Sequence, residues 1–165
     1  ESGGWLGASL YLREIEGRED GPPPPVDLAA EKRNGDFVRD LITGALISEG
    51  QVTACHDVSD GGILVAVAEM ALAGNVGATI QVPEGGEGEV PAHAWLFGED
   101  QGRYIVTTTD TDGLLAAADR AGVPAMQIGI TGGDGLSLIG GEAETALEEL
   151  RQTHEGWLPD YMAGP

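Results

Sequence analysis

Hydrophobic and polar positions along this chain switch repeatedly between a two-residue and a helical period, and the switches mark its elements. Period-two runs predict strands at Gln51–Cys55, Gly77–Val82, Arg103–Thr109, Ala125–Ile130 and Leu136–Ile139. Helical patterns cover Ala8–Ile15, Asp27–Arg33 and a longer stretch opened by Asp36, with Phe37, Leu41, Ala45 and Leu46 on one stripe. Asn34-Gly35 stops the first of that pair and Glu49-Gly50 closes the second. Further helices are predicted at Ile63–Ala73, Pro91–Phe97, Asp110–Ala121 and Glu142–Gln152. Ile63–Ala73 is apolar nearly all round, with Glu69 as its one charge, so it should be covered on most sides. Gly132-Gly133-Asp134-Gly135 reads as a hairpin turn between two strands. Pro22 to Pro25 form a stiff polyproline strut, and Pro83 to Val90, rich in Gly and Glu, reads as a mobile loop. The alternation of strands and helices predicts an α/β fold, a mixed sheet covered by helices. One domain should span residues 1–158, with 159–165 a terminal tail carrying Tyr161 and Met162.

The chain is arranged around one polar turn, His56-Asp57-Val58-Ser59-Asp60-Gly61-Gly62, set between a strand and the most apolar helix. Ser59 or Asp60 can cap that helix, which would leave the N–H groups of Gly61, Gly62 and Ile63 at a positive dipole end. Such an end holds anions, and two glycines let a ligand approach the backbone. Two aspartates would repel bare phosphate, so Asp57 and Asp60 would act through Mg²⁺, with Ser59, Gly61 and Gly62 toward the phosphate. The commoner use of the same residues is plain capping and tight packing. A calcium loop is excluded, because the twelfth position from Asp57 is Ala68 rather than a glutamate.

Composition narrows the function. The formal charge is −20, from 28 acidic and 8 basic residues, which argues against nucleic acid or an anionic membrane as partner. No apolar run approaches a membrane span, and the opening Glu1-Ser2-Gly3-Gly4 has no basic signal region. Cys55 is the one cysteine, which fits a core thiol in a reducing cytoplasm. There is no P-loop, zinc spacing or Ser-His-Asp set. Arg103 either pairs with Glu99 or Asp100 across its turn, or belongs to a polar cluster of Glu99, Asp100 and Gln101 at a domain interface.

Three segments carry a resemblance: His56 to Ile63, Ala68-Glu69-Met70-Ala71, and Leu96-Phe97-Gly98-Glu99-Asp100-Gln101-Gly102-Arg103-Tyr104. Together they resemble the last domain of the synthetase subunit of phosphoribosylformylglycinamidine synthase, in the aminoimidazole-ribonucleotide-synthetase superfamily. The last segment is the specific one, since its order is arbitrary from a packing standpoint. The resemblance runs from Leu6 to about Gly140, and it implies that this is the C-terminal piece of a longer ligase. The implied reaction consumes ATP, formylglycinamide ribonucleotide and glutamine-derived ammonia, and passes through an iminophosphate. The implied cofactors are ATP or ADP and Mg²⁺, bound mainly by earlier domains. The implied partners are those earlier domains, a glutaminase subunit and a small accessory subunit. By position, Asp57 and Ser59 resemble ligands of an auxiliary Mg-nucleotide, and no principal catalytic residue falls in this chain. The alternative is a non-catalytic assembly domain that docks its sister domains and the glutaminase. The Phe97–Tyr104 stretch argues against a cyclising or selenophosphate-forming member of the superfamily.

Overall fold

The structure is a computed structural model, and it describes residues 2–83, 90–139 and 144–164. The expected loop at 84–89 and the expected helix start at Glu142 lie outside these residues. The element order is α1 (Leu10–Glu14), α2 (Leu28–Ile42), β1 (Val52–Val58), α3 (Gly62–Gly74), β2 (Ala78–Ile80), α4 (Ala92–Phe97), β3 (Arg103–Thr108), α5 (Thr111–Ala121), β4 (Gly129–Thr131), β5 (Gly135–Leu138), β6 (Glu144–Ala146) and α6 (Leu147–Ala163). The chain forms two compact units, one of residues 1–66 and 83–127, the other of 67–82 and 128–165. The division falls inside α3.

In the first unit β1 and β3 form an antiparallel ribbon, with Asp57 opposite Tyr104 and Val58 opposite Arg103. Its core joins α2 to α5: Phe37, Leu41, Ile47, Ala117 and Ala118 are buried together. Phe37 and Leu41 stand one turn apart on α2, so a single stripe of that helix faces inward. Asp27 caps α2 through the N–H groups of Ala29 and Ala30, and Asp110 caps α5 through that of Gly113. Gly122 ends α5 in the left-handed conformation.

Asn34-Gly35 does not stop a helix, and α2 runs through it. The Asn34 side chain donates to the Gly102 carbonyl at 3.0 Å, and a side chain on Gly35 would come within 3.3 Å of the Tyr104 hydroxyl. The pair marks where α2 passes close to β3, and tertiary contact outweighs the local breaker signal. Asp36, expected to cap a second helix, instead bridges Lys32 and Arg39 on the surface of α2. The helix ends at Ile42, so Ala45 and Leu46 fall beyond it.

The second unit holds a mixed four-stranded sheet in the order β4-β2-β5-β6. β2 pairs antiparallel with β4 and parallel with β5. The expected hairpin at 132–135 is therefore absent: β2 separates the two strands, and the glycines carry the chain across it. The run expected to be wholly helical near the C-terminus begins as β6, paired to β5, before α6 starts. Trp157 to Met162 belong to α6 rather than to a separate tail. Among the described residues no helix is long and apolar enough to cross a membrane.

Candidate functional site

Asp57 is the next-to-last residue of β1, not part of a loop, because the ladder with β3 continues through Val58. The turn proper is Ser59-Asp60-Gly61. Asp57 is open to solvent, with its side chain 66% exposed. The adjacent His56 ring donates from Nδ1 to the Asp57 carbonyl at 2.6 Å, and the same nitrogen lies 3.8 Å from Asp57 Oδ1. Ser59 and Asp60 are exposed, whereas Gly61 and Gly62 are buried. Both glycines have positive φ, +77° and +74°. A β-carbon on Gly62 would stand 2.7 Å from the carbonyl oxygens of Leu96 and Gly98. Here glycine is required by close backbone packing against the end of α4.

The start of α3 does not offer three free donors. The Gly62 N–H donates to the Ser59 carbonyl at 3.1 Å. The Gly61 N–H donates to Glu99 Oε1 at 2.8 Å, and that same oxygen accepts the Leu10 N–H at 2.9 Å. A carboxylate of the chain itself thus fills the position read from sequence as an anion hole. Glu99 sits there because its own N–H is fixed to the Trp5 carbonyl.

Its neighbour Asp100 does similar work one residue on. Asp100 accepts from the Ser2 hydroxyl at 3.1 Å and from the N–H groups of Gly3, Gly4 and Trp5 at 3.2, 3.1 and 3.4 Å. Arg103 lies beneath this turn with its side chain only 12% exposed. It donates from Nε to the Asp100 carbonyl at 3.0 Å and from Nη2 to the Gly98 carbonyl at 2.6 Å, and Nη2 is 3.7 Å from Asp100 Oδ2. Burial pulls its pKa below the ordinary value and the Asp100 charge acts against that. Of the two partners expected for Arg103, Asp100 is the real one and Glu99 is engaged elsewhere. Gln101 is exposed. The Glu99–Arg103 segment is a clamp on residues 2–10, a role that sequence reasoning missed. The available signal was the run of successive donors at Gly3, Gly4 and Trp5, whose N–H groups need acceptors.

A shallow concavity of about 290 Å³ lies beside the turn, lined by Ser9, Arg13, Glu19, Asp60 and Glu99 among others. Three carboxylates against one guanidinium make it negative, so it suits a cation-bearing group better than free phosphate. Asp57 is not on its wall, so the two aspartates do not converge there. Among the described residues no group of three His, Cys, Asp or Glu side chains could hold a metal ion. Among the described residues, metal ligands therefore do not come together at this turn. A larger open cleft of about 480 Å³ lies away from the turn, between residues 44–48 and α5.

Residues 1–141 match the family model described as AIR synthase related protein, C-terminal domain. The chain is 60% identical over 162 residues to the phosphoribosylformylglycinamidine synthase subunit PurL of Methylocella silvestris, a match covering 97% of this chain and 21% of that protein. The PurL subunit of Rhodospirillum rubrum is 56% identical over 165 residues, covering 99% of this chain and again 21% of that protein. The chain thus spans about one fifth of the length of these curated relatives. Among solved structures, Thermotoga maritima PurL complexed with ATP aligns with a TM-score of 0.62 at 19% identity, over 88% of this chain and 24% of that one. PurLQS from the same organism gives 0.62 at 20%, over 87% and 24%. At that identity the structures establish the shared mixed α/β fold.

Proposed function

We propose, on the premise that this chain belongs to the AIR synthase related protein family and matches its C-terminal domain, that it is the C-terminal domain of the synthetase subunit of a phosphoribosylformylglycinamidine synthase. The observation that carries this reading is the 60% identity to a PurL subunit across 97% of the chain. The activity of the whole subunit would be ATP-dependent carbon–nitrogen ligation. Formylglycinamide ribonucleotide, ammonia from glutamine and ATP would give formylglycinamidine ribonucleotide, ADP and phosphate, in the cytoplasm. The chemistry would be carried by domains outside this chain, with a glutaminase and a small accessory subunit supplying and directing ammonia.

Within that reading, Asp57 and Ser59 are our candidates for contacts to Mg²⁺ and nucleotide, completed by groups from another domain. Their exposure at and just after the end of β1 supports this, since both side chains reach solvent. Asp60 would act from the rim of the neighbouring concavity. Gly61 and Gly62 would shape the turn rather than bind, because their N–H groups already have acceptors. That occupancy also favours the second reading, a domain used for assembly alone.

The test is made on the full-length subunit with ammonium as nitrogen source. ADP release that depends on formylglycinamide ribonucleotide is expected, and its absence from a folded subunit would overturn the proposed activity. Titration calorimetry with ADP and Mg²⁺, in the parent and in an Asp57→Ala, Ser59→Ala double variant, then separates the two roles of the turn. Heat lost in the variant supports a ligand role. Equal heat and equal activity in both assign the turn to assembly.

A further inference from the structure

The helix α6 starts seated and ends exposed along a single stripe. Positions three, four and seven apart on a helix share a face, which here aligns Leu147, Arg151, Leu158, Tyr161 and Met162. At the start of that stripe Leu147 is buried, and its N–H donates to the Asp134 carbonyl. Arg151 Nη2 donates to the Leu72 carbonyl at 3.1 Å and to Asn75 Oδ1 at 3.2 Å. Two turns later the same stripe is open: Leu158, Tyr161 and Met162 are 56%, 71% and 74% exposed. Trp157 borders it at 65% exposure, with its ring stacked on Tyr161 at 5.3 Å. The inward-facing side of the helix outruns the unit that it packs on.

Pro159 sharpens the point. It lies inside α6 and cannot donate to the carbonyl one turn back, so the last turn has little helical stability of its own. An apolar helix end weakened in this way is a surface built to be covered. The exposed parts of its four large side chains amount to roughly 400–500 Å², the size of a functional patch on a monomer.

We infer that this end of α6 docks into an apolar groove on an earlier domain of its own polypeptide. The inference rests on the reading that the chain is part of a longer subunit. Three observations select this occupant. The family model stops at residue 141, whereas PurL subunits about five times longer match 97–99% of the chain, so α6 belongs to the part shared with those long subunits. A patch of this size falls below the ~800 Å² per partner of an ordinary two-protein interface, but suffices within one chain, where the effective concentration reaches about millimolar. Two copies of a chain carrying −20 would also repel each other. Within the patch itself Asp160 is the acidic residue, while Glu155, one turn earlier, is paired with Arg151 at 2.7 Å.

The test is amide hydrogen exchange of the full-length subunit, parent against a Trp157→Gln, Tyr161→Gln double variant. In the parent, residues 157–163 should exchange at least tenfold more slowly than a free helix end. The variant should lose that protection together with protection of one segment in an earlier domain, with the sheet β4-β2-β5-β6 unchanged. Fast exchange in the parent would overturn the inference. So would protection that depends on protein concentration, pointing to a second copy, or that appears only with the glutaminase present. Ligase activity is measured on the same samples, so a subunit that docks α6 but lacks activity would sink the functional reading and leave this one standing.

Discussion

The Ser59–Gly62 turn and the Glu99–Arg103 turn lie side by side and are both polar, yet they spend their polar groups in opposite ways. At Ser59–Gly62 the backbone is committed and the side chains are open: Gly61 and Gly62 are buried while Ser59 and Asp60 face solvent. At Glu99–Arg103 the side chains are the committed part, with Glu99, Asp100 and Arg103 turned onto backbone groups of residues 2–10 and 98–100. A run of charged residues therefore marks chemistry only when its side chains remain unspent. By that criterion the second turn holds the fold, and the first keeps the side chains of Ser59 and Asp60 open to solvent.

The sharpest way to break this contrast is at Gly62, where the first turn packs against the end of α4. Gly62→Ala would place a methyl against three backbone atoms at 2.7 Å with φ at +74°. It should cost about 3 kcal/mol or more, from left-handed strain plus overlap with atoms that cannot move. Gly17→Ala shares a positive φ but meets nothing within 4 Å, so it should cost about 1 kcal/mol. Urea midpoints of the two variants at unchanged slope would check the ratio.

Glu99→Ala comes next. It strips the acceptor from the Gly61 and Leu10 N–H groups and should destabilise by about 2–3 kcal/mol, while Glu99→Gln, which keeps an oxygen there, should recover most of it. Equal losses in both variants would show that charge rather than hydrogen bonding holds the clamp.

A smaller effect is expected from pH. Cys55, on the strand leading into the first turn, has its thiol pKa raised by burial and then by the Asp57 charge. The folded state therefore holds this proton more tightly than the unfolded one. Its contribution to stability is fully present below about pH 8.5, the unfolded thiol value, and is lost as pH rises through the folded value. Cys55→Ser should flatten this alkaline slope, and alkylation of Cys55 at pH 8 should lag behind that of a free thiol.

The smallest effect on stability is expected at the candidate ligands themselves. Asp57→Ala with Ser59→Ala should leave the urea midpoint within about 0.5 kcal/mol of the parent, since both residues are exposed. A large loss would remove the contrast between the two turns.

What could be read from sequence follows the range of the interaction. The helix starts at Asp27 and Asp110 and the helix end at Ala121 are decided within four residues, by caps and a left-handed glycine, and they were legible. The α/β class followed from period alone. Asn34-Gly35 misled because its partners, Gly102 and Tyr104, are almost seventy residues away. Gly132–Gly135 misled because a hairpin and a crossing over an inserted strand use the same glycines, and only the pairing with β2 distinguishes them. The turn at 59–62 was found as a turn, but the Gly61 donor was thought open because nothing local announces Glu99 as its acceptor.

The place of β2 in its sheet has a consequence for how the protein is made. Both of its neighbours, β4 and β5, come from residues 129–138, whereas β2 itself ends at Ile80. A ribosome adding roughly 5–20 residues per second needs about 3–12 s to supply them. For that interval a short apolar strand waits with both edges unpaired, while the residues that join 1–66 in the first unit are still being synthesised. Newborn chains are most open to wrong pairing and to chaperone capture in that window, and slower translation across 83–127 would lengthen it.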